Sequence, residues 1–404
     1  MPQIGESPRA GTCRVLKQAG SHVSSTDAPI VIVGGGLAGL VVASRLHGAG
    51  IGFALIEARP RLGGRILSVD ESGKESGDGY DLGPSWFWPA MQPAFAELVE
   101  RLGLADFAQH DDGDILLQRS VREPPQRFSG MTQAYPSMRV AGGMASIISA
   151  LASDLPEGSV ELSACVTHAQ MDGDTVELTL ADKTGGERIL RSSLVVFAMP
   201  PRLLEASVTF TPSVDDRSRQ RWRDTPTWMA PHAKFVASYD RPFWRENGLS
   251  GAAQSSIGPL MEIHDATTAS GKAALFGFVG VSADDRASVG KGHIVTSCLR
   301  QLTQLFGQEA ARPRVTFLQD WASDPCTATD ADRVSSGHPV PDHRPWITGA
   351  WQDRIVLAGS ETSARDPGYL AGAVDAAGRV ASRIIAKRRP SEDTIIDEIH
   401  EVRP

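Results

Sequence analysis

The chain opens with short apolar runs and helix-periodic stretches in alternation. Residues 30–33 form an uninterrupted apolar run that enters Gly34-Gly35-Gly36-Leu37-Ala38-Gly39 and then a helix-forming segment; a second run, 53–56, ends in Glu57. This pattern predicts a buried strand, a tight turn, a helix and a second strand. Residues 89–104 carry Phe95, Leu98 and Leu102 at helical spacing, a mixed stretch holds Ile115, Leu116 and Leu117, and 144–155 reads as another helix. Segments 160–166, 175–180 and 193–198 are rich in β-branched residues and alternate, so they read as strands. Segments 257–264 and 273–281 also read as strands, with a helix over 294–306. A strand then runs into Gly359-Ser360-Glu361-Thr362, and Gly368 opens a helix that continues to about residue 387.

Length and composition narrow the classes. With 404 residues, 41% of them hydrophobic, the chain is long enough for two packed domains. A formal charge of -8 without a long basic run argues against nucleic acid or an anionic membrane as partner, and favours small molecules. No segment approaches the roughly 20 apolar residues of a membrane helix. Cys13, Cys165, Cys298 and Cys326 show no C-x-x-C spacing, which suits a reducing compartment and argues against a zinc site. Residues 1–28 lack an apolar signal core and read as a disordered leader, leaving the cytoplasm as the expected location. The charged stretch 389–404 reads as a tail that docks on a partner subunit or stays mobile, so a homodimer is one expected assembly.

The opening stretch carries the first chemistry. Gly34, Gly36 and Gly39 occupy the three fixed positions of G-x-G-x-x-G, between an apolar run and a helix. The first permits the turn, the second admits a pyrophosphate to the backbone, and the third lets helix pack on strand. Free N–H groups at Leu37 and Ala38 then face the phosphates. Glu57 stands where a carboxylate accepts from a ribose hydroxyl and repels a 2′-phosphate. The expected ligand is therefore FAD or NAD rather than NADP. Next come Ala58, Arg59, Arg61, Gly63, Gly64 and Arg65, whose guanidinium and N–H groups suit a pyrophosphate.

Together with the glycine turn, the E-A-R-x-R-x-G-G-R stretch resembles the signature of the FAD-dependent amine oxidase superfamily. That superfamily includes monoamine, polyamine and L-amino-acid oxidases and, more distantly, protoporphyrinogen oxidases and phytoene desaturases. The resemblance resolves the cofactor to FAD. It implies an α/β architecture: a Rossmann-like FAD-binding domain, a parallel sheet with helices, plus an α+β substrate domain. We expect the former from 29–89, 137–213 and 316–388, and the latter from 90–136 and 214–315.

Further motifs extend the likeness. Asp81-Leu82-Gly83-Pro84-Ser85-Trp86 is similar to the strand that passes the isoalloxazine ring, with Gly83 permitting close approach. Gly142-Gly143-Met144 resembles the opening of the helix that returns to the FAD domain. Val166 matches the position that meets the adenine, and Phe197-Ala198-Met199-Pro200-Pro201 matches the exit from that domain. The segment Gly359, Ser360, Glu361, Thr362 with Gly368, Tyr369, Leu370 and Gly372 looks like the family's C-terminal motif, whose helix start faces the flavin N1 and C2 carbonyl. Lys234 alone suits a side chain snorkelling from a strand. Its register with Pro242-Phe243-Trp244 instead implies the lysine that orders a water at flavin N5. Trp321 matches the flavin-flanking tryptophan.

The chain also departs from the monoamine oxidases. The cysteine that attaches their flavin would fall near Asp330, not at Cys326, so FAD is expected to be noncovalent. Tyr369 matches one ring of their two-tyrosine cage; the other position falls near Ala331, leaving Trp88, Trp346 or another ring to replace it. The resemblance implies hydride transfer from the α-carbon of an amine to FAD, with oxygen as acceptor and hydrogen peroxide as product. A desaturase acting on an apolar substrate, and a flavin-binding protein without turnover, are the alternatives.

Overall fold

The computed structural model describes residues 27–130, 135–182, 185–334 and 337–388. Two sheets dominate. The first has eight strands, and its parallel centre is built from the apolar runs read above. Asp27–Val33 lies between Glu187–Phe197 and Ala54–Glu57, and Val160–Leu162 extends the sheet beyond Ala54–Glu57, all parallel. Ile355–Leu357 pairs with the C-terminal end of Glu187–Phe197, whereas the N-terminal half of that strand joins an antiparallel meander with Thr175–Ala181 and Cys165–Asp172. Both faces of the parallel part are covered, as continuous apolar strands require. Helices Leu37–Gly48, Ala145–Ser153 and Leu370–Arg388 share a buried cluster on one face, and Trp222 and Trp351 anchor the other.

The second sheet has seven strands in the order Val315–Asp320, Ala233–Tyr239, Ala273–Val279, Leu260–Asp265, Leu249–Ser255, Asp114–Gln118, Gln126–Ser129. One face packs on helix Lys291–Phe306 through Phe235, Ala237, Ile294, Cys298 and Leu302. The other carries Val236, Ala274 and Phe276 against Val69, Tyr80 and Leu82, and so closes over the first sheet's glycine-rich end.

Several expected boundaries move. Asp27 and Ala28, assigned to the leader, pair with Arg191 and Ser192; the rest of the leader and the whole tail lie outside the described residues. Residues 316–320, expected in the FAD-binding domain, hydrogen-bond with Ala233–Tyr239 and belong to the second sheet, because an edge strand is claimed by its backbone partners. Helix Pro93–Arg101, expected in the substrate domain, instead buries Phe95, Leu98 and Val99 in the core of the first. Trp222, on helix Asp216–Asp224, likewise packs beneath the first sheet. The strand expected over 160–166 is interrupted at Ser163, where φ is 63. The pairing of Leu249–Ser255 with Asp114–Gln118 escaped the sequence reading, since strands of mixed polarity lack a clean period of two.

Candidate active site

The loops between the two sheets enclose a cavity of about 1130 Å³. It exceeds the usual range for one drug-sized ligand, roughly 300–1,000 Å³, as a dinucleotide plus a substrate would require. Of the residues singled out from sequence, Gly34, Gly36, Leu37, Ala38, Glu57, Ala58, Arg59, Gly63, Gly64, Arg65, Gly83, Pro84, Ser85, Trp86, Val166, Lys234, Trp321, Gly359, Ser360, Gly368, Tyr369 and Leu370 all line it. Gly39 does not. A Cβ there would stand 1.9 Å from the Gly34 carbonyl oxygen, so this glycine serves helix-on-strand contact.

One end of the cavity is built mainly from backbone. Gly34 adopts φ 108, where a side chain would be strained and would meet the Ala198 carbonyl oxygen at 2.6 Å. At Gly36 a Cβ would find nothing nearer than 3.9 Å, so the chain is open to the cavity at the start of the Leu37–Gly48 helix. No side chain caps that helix. The first-turn N–H groups and the positive end of the helix therefore face the space where an anion would lie. Glu57, buried, accepts from the Gly35 and Arg59 N–H groups at 2.6 and 2.8 Å, which holds its carboxylate across the turn. Carboxylate oxygens have lone pairs beyond these two bonds, and a ribose hydroxyl suits them.

The arginines divide. Arg59 reaches Asp324 at 2.8 Å and Thr327 at 2.7 Å, tying the first loop to the one after Trp321. Burial opposes its charge, but Asp324 and Glu57 outweigh burial and raise its pKa. Arg65 lies 2.8 Å from buried Glu361 and donates to Ser360 Oγ and the Trp228 carbonyl. Arg61, expected to help embrace a pyrophosphate, turns away and donates to the carbonyls of Leu62, Gly64 and Ile66; it braces the loop. Gly83, expected to allow close approach of the flavin, is also constrained by its own neighbours. A Cβ there would sit 2.0 Å from the Arg65 carbonyl oxygen.

The other end is built from side chains of the second sheet and its neighbours. Lys234, 3% exposed, donates to Ser85 Oγ at 2.6 Å and the Gly83 carbonyl at 3.0 Å, and its Nζ lies 4.1 Å from the Phe276 ring centroid. Burial lowers its pKa to about 7, against the pull of Asp81. Trp321 donates its indole N–H to the Leu82 carbonyl at 3.2 Å. Tyr369 follows Gly368, whose φ of 83 and close contact with Trp228 leave no room for a side chain. Around it stand two rings that the sequence reading did not assign: Trp228 at 6.5 Å and His338 at 4.6 Å between centroids. Trp88 also lines the cavity, whereas Trp346 lies elsewhere, under the guanidinium of Arg221, and Ala331 is exposed. Trp228 could not be found from sequence, because no local motif surrounds it. Cys326 lines the cavity in the loop held by Arg59, with its N–H donated to Asp324.

An uncapped helix start, an open glycine, a carboxylate at the end of the second strand and a long cavity fit a dinucleotide. A buried lysine and aromatic rings stand at the far end. Comparison with known proteins gives the family. The model for the flavin containing amine oxidoreductases matches residues 37–139 and 125–385, and the chain belongs to that family; it is an FAD-dependent oxidoreductase of the amine-oxidising class. The probable flavin-containing monoamine oxidase A of Dictyostelium discoideum is 23% identical over 89% of this chain and 98% of its own length. The putrescine oxidase of Kocuria rosea is 24% identical over 75% of this chain and 84% of its own. Among solved structures, putrescine oxidase bound to putrescine and the cyclohexylamine oxidase of Brevibacterium oxydans each superpose with a TM-score of 0.72 at 20% identity. Each covers 89% of this chain and 99% of its own, which shows a shared fold.

Proposed function

We propose that this chain oxidises a small primary amine with noncovalently held FAD and passes the electrons to oxygen, releasing hydrogen peroxide. The observation that carries the reading is Lys234: a buried lysine on the cavity wall, fixed by Ser85 and the Gly83 carbonyl, beside an aromatic chamber. FAD supplies a two-electron acceptor there. The chain supplies the rest. The amides of Leu37 and Ala38 and the open backbone at Gly36 would receive the pyrophosphate, Glu57 would accept from ribose hydroxyls, and Val166 and the segment from Gly359 to Leu370 would hold the adenine and flavin ends.

Tyr369, with Trp228 beside it and Trp321 nearby, presents ring faces that bind a neutral amine and exclude water. A lysine with a pKa near 7 holds or gives up a proton at neutral pH, and its two hydrogen bonds keep that proton at a defined place. In the balance, the amine loses two electrons and two protons and its C–N bond becomes C=N. Water hydrolyses the imine to aldehyde and ammonia, and oxygen gains the two electrons and two protons as peroxide.

A panel of primary amines assayed for peroxide, with anaerobic bleaching of the bound flavin, tests the reading. Failure of every amine to bleach a flavin-loaded preparation would sink it. Denaturation should release free flavin; colour remaining with the precipitate contradicts noncovalent binding. We place the protein in the cytoplasm, a reading supported by cysteines without disulfide-framework spacing and tested by fractionation of the source cells. Among the described residues no helix is long and apolar enough to cross a membrane.

A further inference from the structure

The second sheet presents one more charged side chain to the cavity, and the amine chemistry above does not use it. Cross-strand register sets Lys234 opposite Phe278, and Phe278 opposite Glu262, so the three stand in a row on the same face of neighbouring strands. Two strand spacings, about 10 Å, separate the ends of that row. The register shifts between Leu260 and Glu262, leaving Met261 as an extra residue. Such a bulge re-aims side chains. Met261 lies over Gly280, and Met261, Glu262, Phe278 and Gly280 all line the cavity.

Glu262 is anionic at neutral pH. Its hydrogen bond with His264, at 2.7 Å, holds the carboxyl pKa below the ordinary value against the effect of burial. His264 is in turn fixed by rings: it stacks on Phe276 at 5.4 Å and meets Trp86 edge-on at 4.7 Å. The guanidinium groups bordering the same region are already paired, Arg286 with Asp320 and Arg333 with Asp284, at 2.6 and 2.8 Å. Glu262 has no such permanent cation; among the described residues its ion-pair partner is an imidazole. With its side chain 48% exposed, it retains acceptor capacity toward the cavity.

We infer that Glu262, positioned by His264, is a subsite for a second ammonium group of the substrate, so that the favoured substrates are α,ω-diamines. This rests on the proposed amine oxidation. One amine occupies the Lys234 and Tyr369 end, the alkyl chain lies along Phe278, and the distal ammonium donates to Glu262. The carboxylate takes no part in bond breaking; it sets which amine is held and in which orientation.

The test compares putrescine with n-butylamine, matched in chain length, on the FAD-loaded protein and its Glu262→Gln variant. A hydrogen bond to a charged group is worth roughly 1.5–3 kcal/mol, so kcat/KM for putrescine should fall about tenfold or more, mostly through KM, with n-butylamine changed less than about twofold. Glu262→Leu should go further and invert the preference toward n-butylamine. The Kd of putrescine for the reduced enzyme, by calorimetry, should rise in parallel in both variants. Equal loss on both substrates, or an unchanged putrescine Kd, overturns the subsite while leaving amine oxidation standing. If the unmutated protein oxidises no amine, both readings fall.

Discussion

The two ends of the cavity are made of different material. At the glycine-turn end the contacts come largely from backbone: the amides of Leu37 and Ala38, the open backbone at Gly36, and loops pressed so close that Gly34, Gly39 and Gly83 admit no side chain. At the Lys234 end they come from side chains on separate strands and loops, among them Phe278, Trp228, Tyr369 and Glu262. Backbone contacts demand particular residues at particular spacings, whereas side-chain contacts demand only that distant segments converge. The first kind of wall suits a cofactor of constant shape, and the second a substrate.

Perturbing the glycine end should abolish the holoprotein; perturbing the lysine end should leave flavin bound and change turnover. The largest effect is expected from Gly39→Val, whose side chain would drive into the Gly34 carbonyl. Overpacking commonly costs 1–3 kcal/mol, and with unyielding backbone as the neighbour we expect ~3 kcal/mol or more, read as lost soluble yield and a lower Tm. Glu57→Lys comes next. It removes the carboxylate that accepts from Gly35 and Arg59 and sets a buried ammonium beside Arg59, so most of the flavin absorbance should be lost; a full complement of flavin contradicts the assignment of Glu57.

Lys234→Met should keep the flavin and lower kcat by ~100-fold, the lower end of what a positioned proton carrier contributes. Loss of flavin in this variant would erase the distinction between the two ends. Trp228→Leu should raise KM by roughly threefold to tenfold, the value of an aromatic contact, without affecting flavin content. The last test concerns pH. Lys234 has its folded pKa lowered to about 7, so between that pH and its ordinary value near 10.5 the unfolded chain binds more protons. Stability therefore rises with pH through that window. Tm measured from pH 7 to 9 should rise more in the parent than in Lys234→Met, and parallel profiles would argue against a depressed lysine.

The same contrast explains what could be read without coordinates. Leu37, Ala38, Glu57 and Arg65 were named from spacing and stand at the cavity, because a turn built on glycine leaves few alternative sequences. Arg61 was grouped with its neighbours and proved to brace its own loop, since composition does not say which way a side chain points. The resemblance implies residues 316–320 in the first domain, yet hydrogen bonds to Ala233–Tyr239 place them in the second sheet. Trp228 and His338 gave no local signal at all.

The sequence by itself determined the parallel strands, the glycine turn and a dinucleotide site, each a matter of local period, backbone conformation or short spacing, while the likeness of its motifs to a family narrowed the dinucleotide to FAD. Tertiary structure alone decided what surrounds Tyr369, that Lys234 is buried and held between Ser85 and Gly83, and that Glu262 shares a wall with it. Those are meetings of residues far apart in the chain, set by strand pairing and packing, and no short window of sequence contains both partners.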